Sequence, residues 1–406
     1  MKSDINNRLN TIVKRITVSA MLIMVIFVLS GCGSEAGKIY DRAVEYLEAG
    51  QYDEANIEFM RAIELDPEEA EYHIGYGMSL ISVADYEKAR EEFLGVIKDS
   101  DKKAAKKINK QAYRGIALSY YESGVYDQAK AYFNLALNTD VLSDLDNDLT
   151  AYQANCEMFL NNYDGAVKEY TKLLDNTKGM SKEEKASYYL GRANAYALLE
   201  KYDAAIDDYK EVIDMDEKCY SAYLGEYFAL LNTNNTEAAG QVLDEALEMK
   251  VKTTEDKYYN AVFQFYKGEY DTASGLFTEC IKDGYTKARF YVGRIYQEKG
   301  DYQAAIDMYQ AYIGEYPTER NADFCNQLAG CYMATDDYDK AIELLEEGCV
   351  CAGGTMKKQI MFNRVIAYEK SGKYKKAKTL AEEYLEAYDD SEMIKEYEFI
   401  KTRYRK

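Results

Sequence analysis

Alanine recurs at ten places along this 406-residue chain, and the same pattern of residues surrounds each one. A tyrosine lies three residues before nine of the alanines, and a leucine or an aromatic residue lies four residues after nine of them. The alanines are Ala55, Ala89, Ala129, Ala166, Ala205, Ala239, Ala273, Ala305, Ala341 and Ala377. The spacing between successive alanines predicts stacked helix hairpins. One hairpin cannot bury its own apolar faces, so it needs neighbours on both sides.

The segment Thr286–Glu319 contains one whole unit in 34 residues. Gly293 in its first half and Ala305 in its second half are small, so two helix axes can approach closely where they cross. Tyr296 and Tyr309 are expected to supply apolar area on the facing sides of the two helices. The segment therefore predicts two antiparallel helices that meet along a small-residue contact.

This arrangement resembles the tetratricopeptide repeat (TPR), a helix–turn–helix unit with small and aromatic residues at fixed offsets and a proline near its end. Pro317 stands at that last position, whereas Arg289 departs from the usual tryptophan. The resemblance covers residues 36–390. It implies an all-α, right-handed superhelical solenoid of about ten TPR helix hairpins, followed by a C-terminal capping helix over residues 391–406.

Residues 1–31 have the pattern of a targeting segment, with a basic leader and an apolar run over residues 16–29. The sequence Leu-Ser-Gly-Cys that ends at Cys32 resembles the lipobox of bacterial lipoproteins, in which the cysteine carries the diacylglyceryl and palmitate chains. Residues 32–35 would then be the lipidated cysteine and a short tether. The alternative is an uncleaved membrane anchor. The apolar run is short for that, because a membrane span needs ~20 residues. We expect a lipid-anchored protein on the extracytoplasmic face of the cell membrane, in a Gram-positive-type bacterium.

Composition and motifs argue against several kinds of function. The formal net charge is −21, and such an acidic chain repels nucleic-acid phosphates, so no nucleic-acid partner is expected. His73 is the only histidine, which excludes a Ser-His-Asp triad and a multi-histidine zinc site. We expect it to be a packed or edge histidine. Cys349 and Cys351 are the only closely spaced cysteines, but on a helix they face apart. We therefore expect no metal, no cofactor and no enzymatic activity.

The resemblance also implies a concave groove lined by fixed positions of each first helix, where partner peptides or helices bind in the family. The residues at these positions in repeats 2, 6 and 7 are apolar. They are Ile74, Met78, Ile81, Leu224, Phe228, Leu231, Tyr258, Val262 and Phe265. The alternative for each is ordinary packing against the next repeat. The lysine-rich connector Lys98–Lys110 is either a solvated loop or a contact for an acidic partner or a wall polymer.

Three classes of function follow from these features. The favoured one is a membrane-anchored, extracytoplasmic scaffold that binds a peptide or helix of another protein in the groove. The second is a structural subunit of an envelope export, pilus or cell-wall assembly machine, for which the convex face or the terminal cap would carry the contacts. A remote third is an enzyme acting on cell-wall glycans through paired carboxylates, which no residue spacing singles out.

Overall fold

A computed structural model describes residues 34–177, 179–352 and 354–404 of the chain. Within these ranges the chain forms 21 α-helices and no β-strand. Twenty of the helices pair into ten successive hairpins and one more follows them, so the all-α repeat fold expected from the sequence is confirmed. The expected signal peptide, residues 1–31, and the expected lipid attachment site, Cys32, lie outside the described residues.

The described chain divides into two compact units, of which the N-terminal one ends at Asp216 and contains hairpins 1 to 5. Its helices are α1 Glu35–Glu48, α2 Tyr52–Leu65, α3 Ala70–Ser82, α4 Tyr86–Gly95, α5 Lys103–Glu122, α6 Tyr126–Leu137, α7 Asp146–Phe159, α8 Tyr163–Asp175, α9 Lys182–Leu198 and α10 Tyr202–Met215. Each second helix packs against its own first helix and against the first helix of the next hairpin within the unit. This alternation gives one connected core from Ala43 in hairpin 1 to Cys156 in hairpin 4.

The C-terminal unit begins at Glu217 and contains hairpins 6 to 10 and the last helix. Its helices are α11 Tyr220–Asn232, α12 Thr236–Leu247, α13 Thr254–Tyr266, α14 Tyr270–Lys282, α15 Arg289–Glu298, α16 Tyr302–Glu315, α17 Ala322–Ala334, α18 Tyr338–Cys351, α19 Gly354–Lys370, α20 Tyr374–Ala387 and α21 Ser391–Tyr404. The last of these packs on α20 and buries Met393 and Ile400, as expected for a helix that covers the end of a repeat array. None of the described helices combines the length and apolar character needed to cross a membrane.

The recurring alanines lie where the sequence pattern predicts close helix packing. All ten are buried, with exposed fractions of 0 to 1 %. The residue four positions later is buried in every hairpin as well, from Phe59 in the first to Ala381 in the last. The alanine and the large side chain one turn later share one face of the second helix, so together they form the contact with the first helix.

Glycines in the first helices make room for the rings of the second helices. A Cβ atom at Gly77 would lie 2.7 Å from the Phe93 ring, and one at Gly115 in the next hairpin would lie 2.4 Å from the same ring. Phe93 is fully buried between these two helices. Because a ring occupies the space that a Cβ would need, glycine is required at both positions.

In the hairpin formed by α15 and α16, two expectations need correction. Gly293 admits the Tyr309 ring, whose Cε1 would lie 2.9 Å from an added Cβ, so a ring and not a helix backbone fills the space. Tyr309 is fully buried, as expected, but Tyr296 is 36 % exposed and the expectation of a facing side chain is wrong. Tyr296 follows the buried Ile295 by one residue, and one residue rotates the side chain by about 100° around the helix.

Each of the ten turns places one residue in the left-handed backbone region, always two residues before the second helix begins. These residues are Gly50, Ala84, Gly124, Asn161, Glu200, Asn234, Gly268, Gly300, Asp336 and Gly372. Glycine adopts this conformation without steric cost, but a residue with a Cβ is strained there. Half of the turns therefore carry a residue with a Cβ atom, and the strain is greatest at Ala84 and Glu200, because asparagine and aspartate tolerate this region.

We expect Ala84→Gly to raise the free energy of unfolding by about 0.5–1 kcal/mol, because the strain relieved exceeds the entropy that glycine adds to the unfolded chain. Ala84 has φ +61° and is exposed, so the change removes no packing. Urea denaturation followed by circular dichroism measures the effect. The matched control is Gly124→Ala at the same place in hairpin 3, which has φ +78° and open space around it. It should lower the stability by a similar amount, and equal signs for the two changes would contradict the argument.

A buried carboxylate joins two connectors of the C-terminal unit. Asp256 accepts hydrogen bonds from the Tyr220 hydroxyl at 2.5 Å, the Lys218 ammonium at 2.9 Å, and the backbone N–H groups of Lys252 at 2.8 Å and Thr253 at 3.1 Å. The hydrogen bond from Tyr220, followed by those from the other donors, holds the pKa of Asp256 well below its usual range. The carboxylate thereby fixes the segment before α11 against the start of α13.

Candidate functional site

The predicted groove residues of the N-terminal unit lie together on α3. Ile81 is buried, with 7 % of its surface exposed, while Ile74 and Met78 are half-buried and pack against the core of the unit. Packing between repeats therefore accounts for Ile81. Ile74 and Met78 keep a partly exposed apolar surface.

The predicted groove residues of the C-terminal unit fall into two groups. Leu224, Val262 and Phe265 are buried, with exposed fractions of 2 %, 0 % and 5 %, so they belong to the core. Phe228, Leu231 and Tyr258 are half-buried. A partner could contact the second group but not the first without opening the fold.

Phe228 is part of a continuous surface that we call the aromatic strip, formed by Tyr227, Phe228, Tyr266 and Arg294. These four side chains are half-buried and come from α11, α13 and α15, the first helices of three successive hairpins. The Phe228 and Tyr266 rings meet edge to face, with centroids 5.1 Å apart, and the Tyr227 ring lies 5.6 Å from Tyr266. The strip therefore presents three packed rings and one cation along the same helix layer.

Two long hydrogen bonds orient the tyrosine rings of the strip. The Tyr227 hydroxyl donates to the Tyr266 carbonyl at 3.4 Å, and Arg294 Nη1 donates to the Tyr266 hydroxyl at the same distance. Burial raises the pKa of Tyr227, so its hydroxyl remains a neutral donor at physiological pH. The rings are thus held before any partner arrives.

Arg294 is the cation of the strip, and it forms no ion pair with a carboxylate in the described part of the chain. Its guanidinium lies over the Phe265 ring, 4.8 Å from the ring centroid. By contrast, Arg289, Arg320 and Arg364 of the same unit each form an ion pair with a glutamate. A guanidinium has five N–H donors, and within the described chain that of Arg294 forms a hydrogen bond with the Tyr266 hydroxyl alone.

Sequence reasoning found Phe228 but missed the other three members of the strip. Arg294 occupies the same repeat position in hairpin 8 as Phe228 in hairpin 6, so the groove pattern, applied to every repeat, would have included it. Tyr227 replaces the small residue that most repeats carry at its position, and that departure was a visible signal. Tyr266 is the last residue of α13, outside the positions that the pattern covers.

The histidine and the cysteines, which were candidates for chemistry, lie in environments that do not favour reactivity. The His73 ring binds Glu92 through Nδ1 at 2.6 Å and the Pro67 carbonyl through Nε2 at 3.0 Å, which is the environment of an edge histidine. None of the six cysteines whose side chains are described forms a disulfide bond. Burial raises the pKa of Cys331 to about 12 and that of Cys280 to about 11, so both are protonated and unreactive at neutral pH. No cluster of potential metal ligands occurs among the described residues.

Comparisons with known proteins agree with the repeat pattern. Family models described as tetratricopeptide repeat match residues 40–105, 153–220, 264–320 and 296–348, which together make up just over half of the chain. A search of curated protein sequences found no match.

The chain is also similar to solved structures at low sequence identity. A monomeric mutant of IFIT1 with Gppp-AAAA is 14 % identical and has a TM-score of 0.50, and the match covers 94 % of this chain and 89 % of that one. PilF of Pseudomonas aeruginosa is 15 % identical with a TM-score of 0.44, over 58 % of this chain and 97 % of that one. Cut9 from the APC/C Cut9–Hcn1 hetero-tetramer structure is 12 % identical with a TM-score of 0.43, over 92 % and 98 %. The family models, which match just over half of the chain, show together with the ten hairpins that the chain belongs to the tetratricopeptide repeat family.

Proposed function

We propose that this protein is a non-catalytic scaffold that binds a segment of a partner protein, and that the aromatic strip is its main contact. The observation that carries the proposal is the strip itself, in which partly exposed rings lie beside an arginine without a carboxylate partner. Tyrosine and arginine are enriched among the residues that dominate binding energy at protein interfaces. Rings already packed against one another lose little freedom on binding, which favours affinity.

The chemistry of the strip indicates what the partner presents. Phe228 and Leu231 offer apolar area, so the partner segment should carry apolar or aromatic side chains. Arg294 would bind a carboxylate or a backbone carbonyl of that segment through its unused N–H groups. The net charge of −21 favours a partner whose wider surface is basic, since long-range attraction speeds the encounter.

We further propose that the scaffold acts at the extracytoplasmic face of the cell membrane, anchored through lipid on Cys32. The support is the sequence of the first 32 residues alone: a basic leader, an apolar run and a lipobox-like ending. Mass spectrometry of the mature chain is the direct check. A diacylated N-terminal cysteine is expected, and a chain that begins at Met1 without lipid would contradict the anchor.

The binding site is tested with three variants of the purified protein. Partners are first identified by affinity capture from membranes, and the dissociation constant of the purified partner is then measured. Phe228→Ala and Arg294→Met should each raise that constant about 30-fold, which corresponds to about 2 kcal/mol, a typical value for a central interface residue. Arg294→Met keeps an apolar stem over the Phe265 ring and removes the charge.

The matched control is Tyr296→Ala, which removes a partly exposed tyrosine of the same unit outside the strip. It should leave the dissociation constant unchanged. Circular dichroism should be the same for all variants, because none of the three residues is fully buried. Equal affinities of the wild type and the two strip variants would reject the strip as the contact. Phe265 is unsuitable for this test, because it is a core residue.

A further inference from the structure

In the N-terminal unit, the connector between α4 and α5, which carries part of the lysine-rich segment, forms one wall of a cleft. The segment between α4 and α5 and the first turns of α5 contribute Lys98, Asp99, Lys106 and Tyr113. The loop that follows α6, residues 138–140, forms the opposite wall. The cleft has a volume of ≈ 370 Å³, within the range of ~300–1,000 Å³ that small-molecule sites occupy.

Hydrogen bonds from two side chains of α5 fix both walls. The Asn109 amide accepts a hydrogen bond from the Lys98 N–H at 3.0 Å and donates to the Lys98 carbonyl at 2.8 Å. The Lys110 ammonium, which is almost fully buried, donates to the Thr139 carbonyl at 3.2 Å and to Asp146 at 2.6 Å. The cleft is therefore preformed in the folded chain, which lowers the entropic cost of binding a ligand.

The lining offers hydrogen-bond donors and acceptors in comparable numbers. Lys98 and Lys106 donate, Asp99 and Asp140 accept, and the Asn138 amide does both. Tyr113 adds a half-buried ring to the lining. This ring also lies near the Tyr132 ring, with 6.4 Å between the two centroids. Such a surface fits a ligand whose polar groups each donate and accept hydrogen bonds. The ligand should also have an apolar face that can pack on the Tyr113 ring.

Other classes of ligand fit this lining poorly. A phosphate or another small anion would meet three carboxylates, those of Asp99, Asp101 and Asp140. A free metal cation would meet the ammonium groups of Lys98 and Lys106. An apolar ligand would leave these polar groups without water or a partner, at a cost of about 1–3 kcal/mol for each unsatisfied group.

We propose that this cleft binds carbohydrate, in the form of a neutral sugar unit of a glycan. Each sugar hydroxyl donates one hydrogen bond and accepts others, which matches the mixed lining of lysine, aspartate and asparagine. The carbon–hydrogen face of a pyranose ring packs on the Tyr113 ring. The site lies in hairpin 3 and the connectors on either side of it. It shares no residue with the aromatic strip, so it does not depend on the proposed protein partner.

Isothermal titration calorimetry of the full chain in detergent tests the site with three probes: the trisaccharide of N-acetylglucosamine, maltotriose and inorganic phosphate. We expect at least one of the saccharides to bind and phosphate not to bind. Asp140→Ala and Tyr113→Ala should each raise the dissociation constant of the bound saccharide at least 10-fold. Asp140 is exposed, so its replacement does not disturb the fold.

The matched control is Asp144→Ala, an exposed aspartate four residues further along that does not line the cleft. It should bind the saccharide with the affinity of the wild type. Three outcomes would overturn the proposal. These are binding of neither saccharide, binding of phosphate in their place, and saccharide binding that Asp140→Ala and Tyr113→Ala leave unchanged.

Discussion

Replacing Phe93 by alanine should lower the free energy of unfolding by about 3–5 kcal/mol, the usual cost of removing a fully buried phenylalanine ring. The ring lies in the contact between hairpins 2 and 3, where Gly77 and Gly115 leave just enough room for it. Neither neighbour has a side chain that could move into the cavity. We therefore expect little relaxation and a cost near the upper end of this range.

Hydrogen exchange of the backbone amides is the most informative measurement, because stability in a repeat array is local and spreads from neighbour to neighbour. Protection in α3, α4 and α5 should fall first in the Phe93→Ala variant. The control is Leu94→Ala at the adjacent position, where the side chain is 52 % exposed. Its effect should stay within about 0.5 kcal/mol. Similar losses for the two variants would show that the ring does not hold the hairpins together.

The second large effect concerns Lys110, whose side chain is 1 % exposed and whose ammonium binds Asp146 and the Thr139 carbonyl. Asp146→Ala should destabilise the protein by about 3 kcal/mol, because it leaves a buried ammonium with only a carbonyl for a partner. The value lies at the low end for buried pairs because the Asp146 side chain is itself 41 % exposed.

Removing the cation should cost less than removing its partner. Lys110→Met keeps most of the buried stem and leaves Asp146 in contact with water, so we expect a loss of about 1 kcal/mol. The double variant should be more stable than Asp146→Ala alone. Urea denaturation of the wild type, the two single variants and the double variant measures the double-mutant cycle. A double variant that loses the sum of both single effects would mean that the buried charge is not the cause.

The sequence predicted the repeat architecture well because its causes are local to each hairpin. Three features act within one hairpin: the alanine that contacts the first helix, the tyrosine that begins nine of the ten second helices, and the glycine in half of the turns. Their spacing along the chain therefore predicts the positions of the ten hairpins. The two corrections, at Gly293 and Tyr296, concern which atoms fill a contact and not where the helices lie.

The sequence did not separate groove residues from core residues, because that distinction depends on neighbouring hairpins. Phe228 and Phe265 are both aromatic at predicted groove positions of consecutive repeats, yet only Phe265 is buried. The rings of Tyr270 and Tyr291 and the guanidinium of Arg294 cover Phe265, and two of these three come from the next hairpin. No periodic pattern within one repeat contains that information.

By itself, then, the amino-acid sequence determined the helix hairpins, their number and their order, since each is specified by contacts between residues close in the chain. The tertiary structure decided which side chains remain accessible and which distant segments face each other. Asp99 and Asp140 line one cleft although about forty residues separate them, because Lys110 and Asn109 hold both connectors against α5. Accessibility is a property of packed neighbours, so it becomes defined only when the hairpins stack.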